Sequence, residues 1–196
     1  MSRAYRITSL ITFLCFVALS FASAQQSSAT PSSSNSLSSQ EQHFLDHIAK
    51  DSQGEVQLGK MAESKTSNPQ VKEFAQKMVH DHTTLDQQIQ QVMSKHGMSM
   101  PAPMTAEQQQ LQKKLQGLSG QQFDRAYMAA EVKGHEQAIA GVSPHARNED
   151  QLKPSHPDVA ELAQEVNPVL KDHLNLAKQV APEVGANTTS QSAEAR

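Results

Sequence analysis

The stretch MVHDHTTLDQQI, residues 78 to 89, decides how this chain is read. Around it the apolar residues Val71, Ala75, Met78, Leu85, Ile89 and Val92 recur at spacings of three and four, which is the period of one face of an α-helix. His82 falls in the one gap of that series and therefore points inward, whereas His80 points elsewhere. An imidazole in an apolar stripe needs a partner, and the neighbouring segments offer candidates.

Helical punctuation surrounds this stretch. Asn68-Pro69 supplies a cap and a proline at the first helical position. Ser39 with Gln42, Thr105 with Gln108 and Ser119 with Gln122 each fit a capping box, in which a hydroxyl and an amide satisfy two free backbone N–H groups. Breaks fall at Gly97 to Pro103, at Gly117-Leu118 and across Pro144 to Pro157. The spacing predicts long helices over 40–65, 69–96, 120–143 and 158–181, and a short one over 105–116. Few β-branched or aromatic runs and no hairpin signals argue for an all-α chain. Short links within each pair make its members antiparallel, and a longer link carries the short helix between the second and third long ones. The expected architecture is an antiparallel four-helix bundle over 40–181, with Pro168 kinking its last helix.

The other long helices repeat the pattern seen at His82. In the first, Phe44, Leu45, Ile48, Gly59 and Ala62 share a face with Glu55. In the third, Glu131 and His135 lie one turn apart among Met128, Ala138 and Val142. In the fourth, Val159, Leu162, Val166, Val169, Leu176 and Val180 leave a slot filled by His173. Each polar residue is near the middle of its helix, so antiparallel packing brings Glu55, His82, Glu131, His135 and His173 to one depth. A buried carboxylate or imidazolium without a partner costs several kcal/mol, so such groups are paired, neutralised or coordinated to a cation. Three readings stand: a hydrogen-bonded network that fixes helix register, a site for zinc, iron, manganese or copper, or a solvated Glu131 beside Lys133.

The ends of the chain point to export. MSRAYRITSLITFLCFVALSFASAQQ places Arg3 and Arg6 before an apolar run that ends in Ala22-Ser23-Ala24, so residues 1–24 read as a signal peptide rather than a retained anchor. Residues 25–39 read as a Ser/Gln-rich tether and 182–196 as a polar tail. Without its signal the chain loses two arginines and no acids. The 17 basic residues become 15 against 20 acidic ones, a net charge near −5 with neutral histidines. That balance argues against nucleic acid or an anionic bilayer as partner. The single cysteine, Cys15, lies in the signal, so the exported part has neither disulfides nor thiolate ligands. A metal there is held by His, Asp, Glu or Met. Met93, Met98, Met100, Met104 and His96 form a second, Met-rich candidate suited to Cu(I), or else cap the bundle; His145 and His156 form a weaker pair. There is no Gly-rich phosphate loop, Gly-x-Ser-x-Gly elbow or His-Glu-x-x-His run. The remaining partners to consider are a metal ion or an envelope protein.

Glu-Val-x-Leu-Gly at 55–59, Asn-Pro-x-Val-Lys at 68–72, Met-Val-x-Asp-His at 78–82 and Phe-Asp-x-x-Tyr at 123–127 resemble the bacterial exported family called domain of unknown function 4142. The resemblance runs over about residues 43 to 180. It implies a ferritin-like bundle and a place in the periplasm or cell envelope, without a membrane span in the mature chain. Ferritin-like di-iron enzymes use a Glu from each of two helices and Glu-x-x-His from the other two. Here Val79 and Leu170 stand three residues before His82 and His173, so the resemblance does not extend to di-iron oxidase or ferroxidase activity. GVSPHARNEDQLKPSHPD, 141–158, also departs from the family as a longer, proline-broken loop.

Overall fold

The computed structural model describes residues 36–147 and 154–186. The expected signal, most of the tether, and residues 187–196 of the tail lie outside the described residues. Five helices follow one another: α1 (Ser39–Lys65), α2 (Pro69–Lys95), α3 (Ala106–Gln116), α4 (Gly120–Ala146) and α5 (Pro157–Glu183).

Cross-helix contacts give the topology. Gly59 faces Ala75 and Val79 while Ser52 faces His82, so α1 and α2 run antiparallel. Ser143 meets Asn167 and Glu136 meets Lys178, so α4 and α5 do too. Gln88 meets Glu165 and Lys77 meets Asp172, which sets α2 against α5 in the same sense. The two hairpins thus lie side by side, and the α2–α4 connection crosses the bundle carrying α3 along α1. This is the ferritin-like arrangement of four antiparallel helices with one long crossover. α1 packs closely along α2, and α4 along α5, but α1 and α4 barely touch.

The helix ends follow their residues, with some shifts. Asn68 Oδ1 accepts from the Gln70 and Val71 N–H groups, and Thr105 and Gln108 form the expected capping box. α1 is capped one residue early, by Ser38 with Glu41 rather than Ser39 with Gln42. Glu41 also accepts from the His156 N–H at 2.9 Å and from Ser155 Oγ at 2.9 Å, so one carboxylate ties together the starts of α1 and α5. Burial pushes its pKa up, but the hydrogen bonds from Ser38 and His156 outweigh burial and hold it at about 2. Leu37 is buried as well, so ordered packing starts before residue 40. Ser119 makes no side-chain cap bond. α4 runs through Pro144 to Ala146, because the carbonyl this ring strands belongs to exposed Ala140. α5 likewise runs on through exposed Pro168 and reaches Glu183. α2 and α5 both end in Schellman turns, with Gly97 and Gly185 in the left-handed region at φ 72° and 67°.

The apolar core is divided. A lower cluster gathers Leu58, Phe74, Met78, Phe123, Tyr127 and Met128, and an upper one Leu45, Leu85, Ile89, Leu162, Val166 and Leu170. In α5 it is Leu170, not Val169, that faces inward, since it lies four residues from Val166 and three from His173. Between the clusters lies a polar layer: Ser52, Glu55, His82, Glu131, His135 and His173.

Gln108, at the start of α3, covers one side of this layer. Its amide donates to the Asp51 carbonyl, Asp51 Oδ1 and Glu55 Oε1 at 3.0, 2.9 and 3.0 Å. Gly54 makes this possible, because a Cβ there would lie 2.1 Å from Gln108 Oε1. Gly54→Ala should therefore dislodge the first turn of α3 despite its better helix propensity. The expected cost is about 1 to 3 kcal/mol in chemical denaturation, with faster amide exchange confined to α3. An unchanged midpoint would show that Gln108 does not hold α3.

Candidate metal centre

His82 of α2, His135 of α4 and His173 of α5 meet in the polar layer. Their ring centroids are 6.1, 5.2 and 5.4 Å apart, and one ring nitrogen from each lies within 4.8 Å of the other two. Among the described residues this is the set of three His, Cys, Asp or Glu side chains with such convergence.

Each ring is held by one nitrogen. His135 Nδ1 donates to the Glu131 carbonyl at 2.9 Å. His173 Nε2 donates to Asp81 Oδ2 at 2.8 Å. Ser52 donates its hydroxyl to the His82 carbonyl, so its oxygen accepts from His82 Nδ1 at 3.2 Å. The partners fix the tautomers, leaving His82 Nε2, His135 Nε2 and His173 Nδ1 as bare lone pairs. All three of these nitrogens are buried, with no hydrogen-bond partner among the described residues.

The rings are neutral. Burial pushes His82 well below the usual imidazole range, and the nearby His173 and His135 add to that. Burial takes His135 down to about 4. His173 is also lowered by burial, against the pull of Asp81. Asp81 stays ionised: hydrogen bonds from His173 and Lys77 overcome its burial, and Lys77 Nζ sits 2.8 Å from its Oδ2.

Glu55 and Glu131 are buried in the same layer but form a separate pair. Burial raises Glu55 well above the carboxylate range, and the like charges of Glu131 and Asp51 raise it further. Burial pushes Glu131 up to about 8, with Glu55 and Tyr127 pulling the other way. The pair therefore keeps a proton at neutral pH. Glu131 Oε2 stands 3.6 Å from His135 Nδ1, the nitrogen already engaged by a carbonyl. Of the five residues expected in this layer, the three histidines share a centre and the two glutamates adjoin it as acids.

Where α1 and α4 part, a cleft of about 870 Å³ opens, and Asp51, Glu55, Glu131 and His82 line it. Burial raises Asp51 to about 6, against the attraction of His47.

The other candidates do not form a set of three converging ligands among the described residues, although the rings of His96 and His156 lie 4.9 Å apart. Met93 and Met104 belong to the upper and lower core clusters, and Met98 and Met100 pack against the upper one. His96 Nε2 bonds Asp158 at 3.0 Å, His145 stacks on Phe44 at 4.3 Å, and His156 bonds Glu41 at 3.0 Å. Sequence reasoning missed the supports. Gln108 shows in the sequence only as half of a capping box with Thr105, and nothing there marks Ser52 or Asp81.

An all-helical, ferritin-like bundle with a polar layer of imidazoles and protonated carboxyls is the class of protein these features define. Residues 26–180 match the model of DUF4142, a domain of unknown function, and the chain belongs to that family. No curated protein matches it. In fold it is similar to a DUF305 fragment from Deinococcus radiodurans, with TM-score 0.64 and 15% identity over 76% of this chain and 99% of that one. It is similar too to a DUF305 protein from Streptomyces coelicolor described as secreted, with TM-score 0.64 and 13% identity over 78% and 98%. A third likeness is to CopM in its Cu(I)-bound form, with TM-score 0.60 and 16% identity over 74% and 98%. At these identities the likeness is one of fold. Among the described residues no helix is long and apolar enough to cross a membrane.

Proposed function

We propose that this is an exported protein of the periplasm or cell envelope that binds one transition-metal ion through His82, His135 and His173. The observation that carries the reading is the convergence of three buried rings, each with one bare nitrogen and each clamped through the other by an oxygen. Ligating histidines are oriented by such outer contacts, and ligation needs the neutral ring that burial enforces here. Metal–nitrogen bonds of about 2.0 to 2.1 Å bring tetrahedral ligands to about 3.4 Å of each other. The trio reaches that with side-chain shifts on the order of 1 Å. Three imidazoles without thiolate suit zinc or copper, and the likeness to a copper-bound bundle supports copper. Of the three ligands, His82 also lines the cleft between α1 and α4.

A second reading makes the layer purely structural. It is favoured by the His82–Ser52 and His173–Asp81 bonds, which lock register between helices without any ion. Metal analysis separates the two. Protein purified without an affinity tag should take up one equivalent of copper or zinc, and the His82→Ala, His173→Ala double variant none. Equal, substoichiometric metal in both favours the structural layer.

A further inference from the structure

We infer that the cleft between α1 and α4 is the loading route for the trio, and that His43, His47, Asp51 and Glu55 pass the cation inward along α1; this rests on the trio holding an ion.

The four side chains recur every fourth residue and so stand on one face of α1, about 6 Å apart along its axis. All four line the cleft, and His82 lines it too. Their burial deepens in order: His43 and His47 are exposed, Asp51 is half-buried and Glu55 is 8% exposed. A gap too narrow for a water molecule, bordered by Asp51, Glu55, His82 and His135, lies between the end of the ladder and two members of the trio. Glu55 Oε2 stands there as a buried oxygen with no hydrogen-bond partner among the described residues.

The opposite wall is unusually bare. Gly134, Ala138 and Gly141 of α4 line the cleft facing this ladder. A glycine inside a helix costs about 1 kcal/mol relative to alanine. Neither Gly134 nor Gly141 has a left-handed backbone, and a Cβ at either would meet nothing within 4 Å. Packing and backbone geometry therefore do not require glycine at these positions. What they do provide is width in the seam where α1 and α4 fail to close.

The ladder is a path rather than a store. His43, His47 and Asp51 do not converge as the trio does, since among the described residues the trio alone gathers three such ligands within 4.8 Å. Each rung offers one ligand, with Glu55 releasing its proton as the cation arrives, enough to hold a partly hydrated cation briefly and exchange it for the next. Such single contacts speed entry while leaving the final affinity to the three imidazoles.

Cobalt(II) is a suitable probe, because its visible absorption reports entry into a nitrogen site. In stopped-flow mixing with untagged protein, the His43→Ala, His47→Ala double variant should load at least tenfold more slowly yet reach the same one equivalent. Both residues are exposed, so this variant leaves the core intact. Gly141→Leu, which fills the mouth, should slow loading and chelator-driven release together by a similar factor. His80→Ala, on an exposed face outside the cleft, should behave as wild type. Unchanged rates in the double variant and in Gly141→Leu, with one equivalent still bound, would overturn the route and leave the trio standing. Failure of the wild type to bind cobalt would overturn both.

Discussion

Replacing His82, His135 and His173 together with leucine is expected to abolish metal-dependent stabilisation while leaving the metal-free bundle at least as stable as before. At a metal concentration about a thousandfold above Kd, a ligand that binds only the folded state adds about 4 kcal/mol. For a bundle of this size that is on the order of 10 °C in Tm. The triple variant should show none of it. Without metal the balance runs the other way. Three hydrogen bonds worth about 1 kcal/mol each are lost, and three buried nitrogens costing about 1 to 3 kcal/mol each disappear. Leucine nearly matches histidine in volume, so no cavity opens, and Asp81 keeps Lys77 and partial solvent exposure. Thermal melts with and without copper check both halves. A metal-free Tm that collapses in the triple variant would mean the layer exists to hold the helices together.

The second large effect lies on the pH axis. In the unfolded chain Glu131 loses its proton near 4.5, but in the folded protein near 8. Between these values the folded state binds the extra proton, so stability is full below about pH 4.5 and is lost as pH rises towards 8. His135 acts oppositely. The unfolded chain is protonated up to about 6.5 and the folded ring only below about 4, so stability rises with pH across that window. His82 and His173, lowered by burial too, act with His135, and up to pH 6.5 these histidines oppose the raised carboxyls of Glu55 and Glu131. Above it the carboxyl effect alone remains, at roughly 1.4 kcal/mol per pH unit. Metal-free protein should therefore lose about 2 kcal/mol between pH 6.5 and 8, measured by denaturant midpoints. Glu131→Gln keeps the shape and removes the acid, and should at least halve that slope. An equally steep slope in the variant would show that Glu131 is ionised at neutral pH.

Much of this molecule was legible from residue spacing. The gap at His82 in a stripe of period 3.6 placed the ring inward, and helices of similar length made it meet His135 and His173 at mid-height. Thr105, Gln108, Asn68 and Pro69 marked helix starts where they occur, because caps are local chemistry. What failed to show was set by contacts distant in sequence. Ser38 with Glu41 and Ser39 with Gln42 fit the same capping pattern equally well, and the choice falls to Glu41 because His156 and Ser155 arrive from the start of α5. Asp81 sits on the edge of the α2 stripe, where its salt bridge to Lys77 is visible in sequence but its bond to His173 is not. The glutamates illustrate the same limit. Their positions could be read from periodicity, but their protonation depends on being enclosed together between helices and under Gln108. The α1–α4 seam shows in the sequence as His43, His47, Asp51 and Glu55 at every fourth residue of α1 and as small residues on α4, but nothing local says that these two faces part.

The proposed centre stands on three specific lone pairs. Long-range proton–nitrogen NMR of the imidazole rings reads them directly. In the metal-free protein at neutral pH, His82 and His135 should appear as neutral rings carrying the proton on Nδ1, and His173 as a neutral ring carrying it on Nε2. Adding one equivalent of zinc should shift His82 Nε2, His135 Nε2 and His173 Nδ1 by tens of parts per million, while exposed His80 stays in place. Three rings that hold other tautomers, or that do not respond to zinc, would contradict the proposed centre.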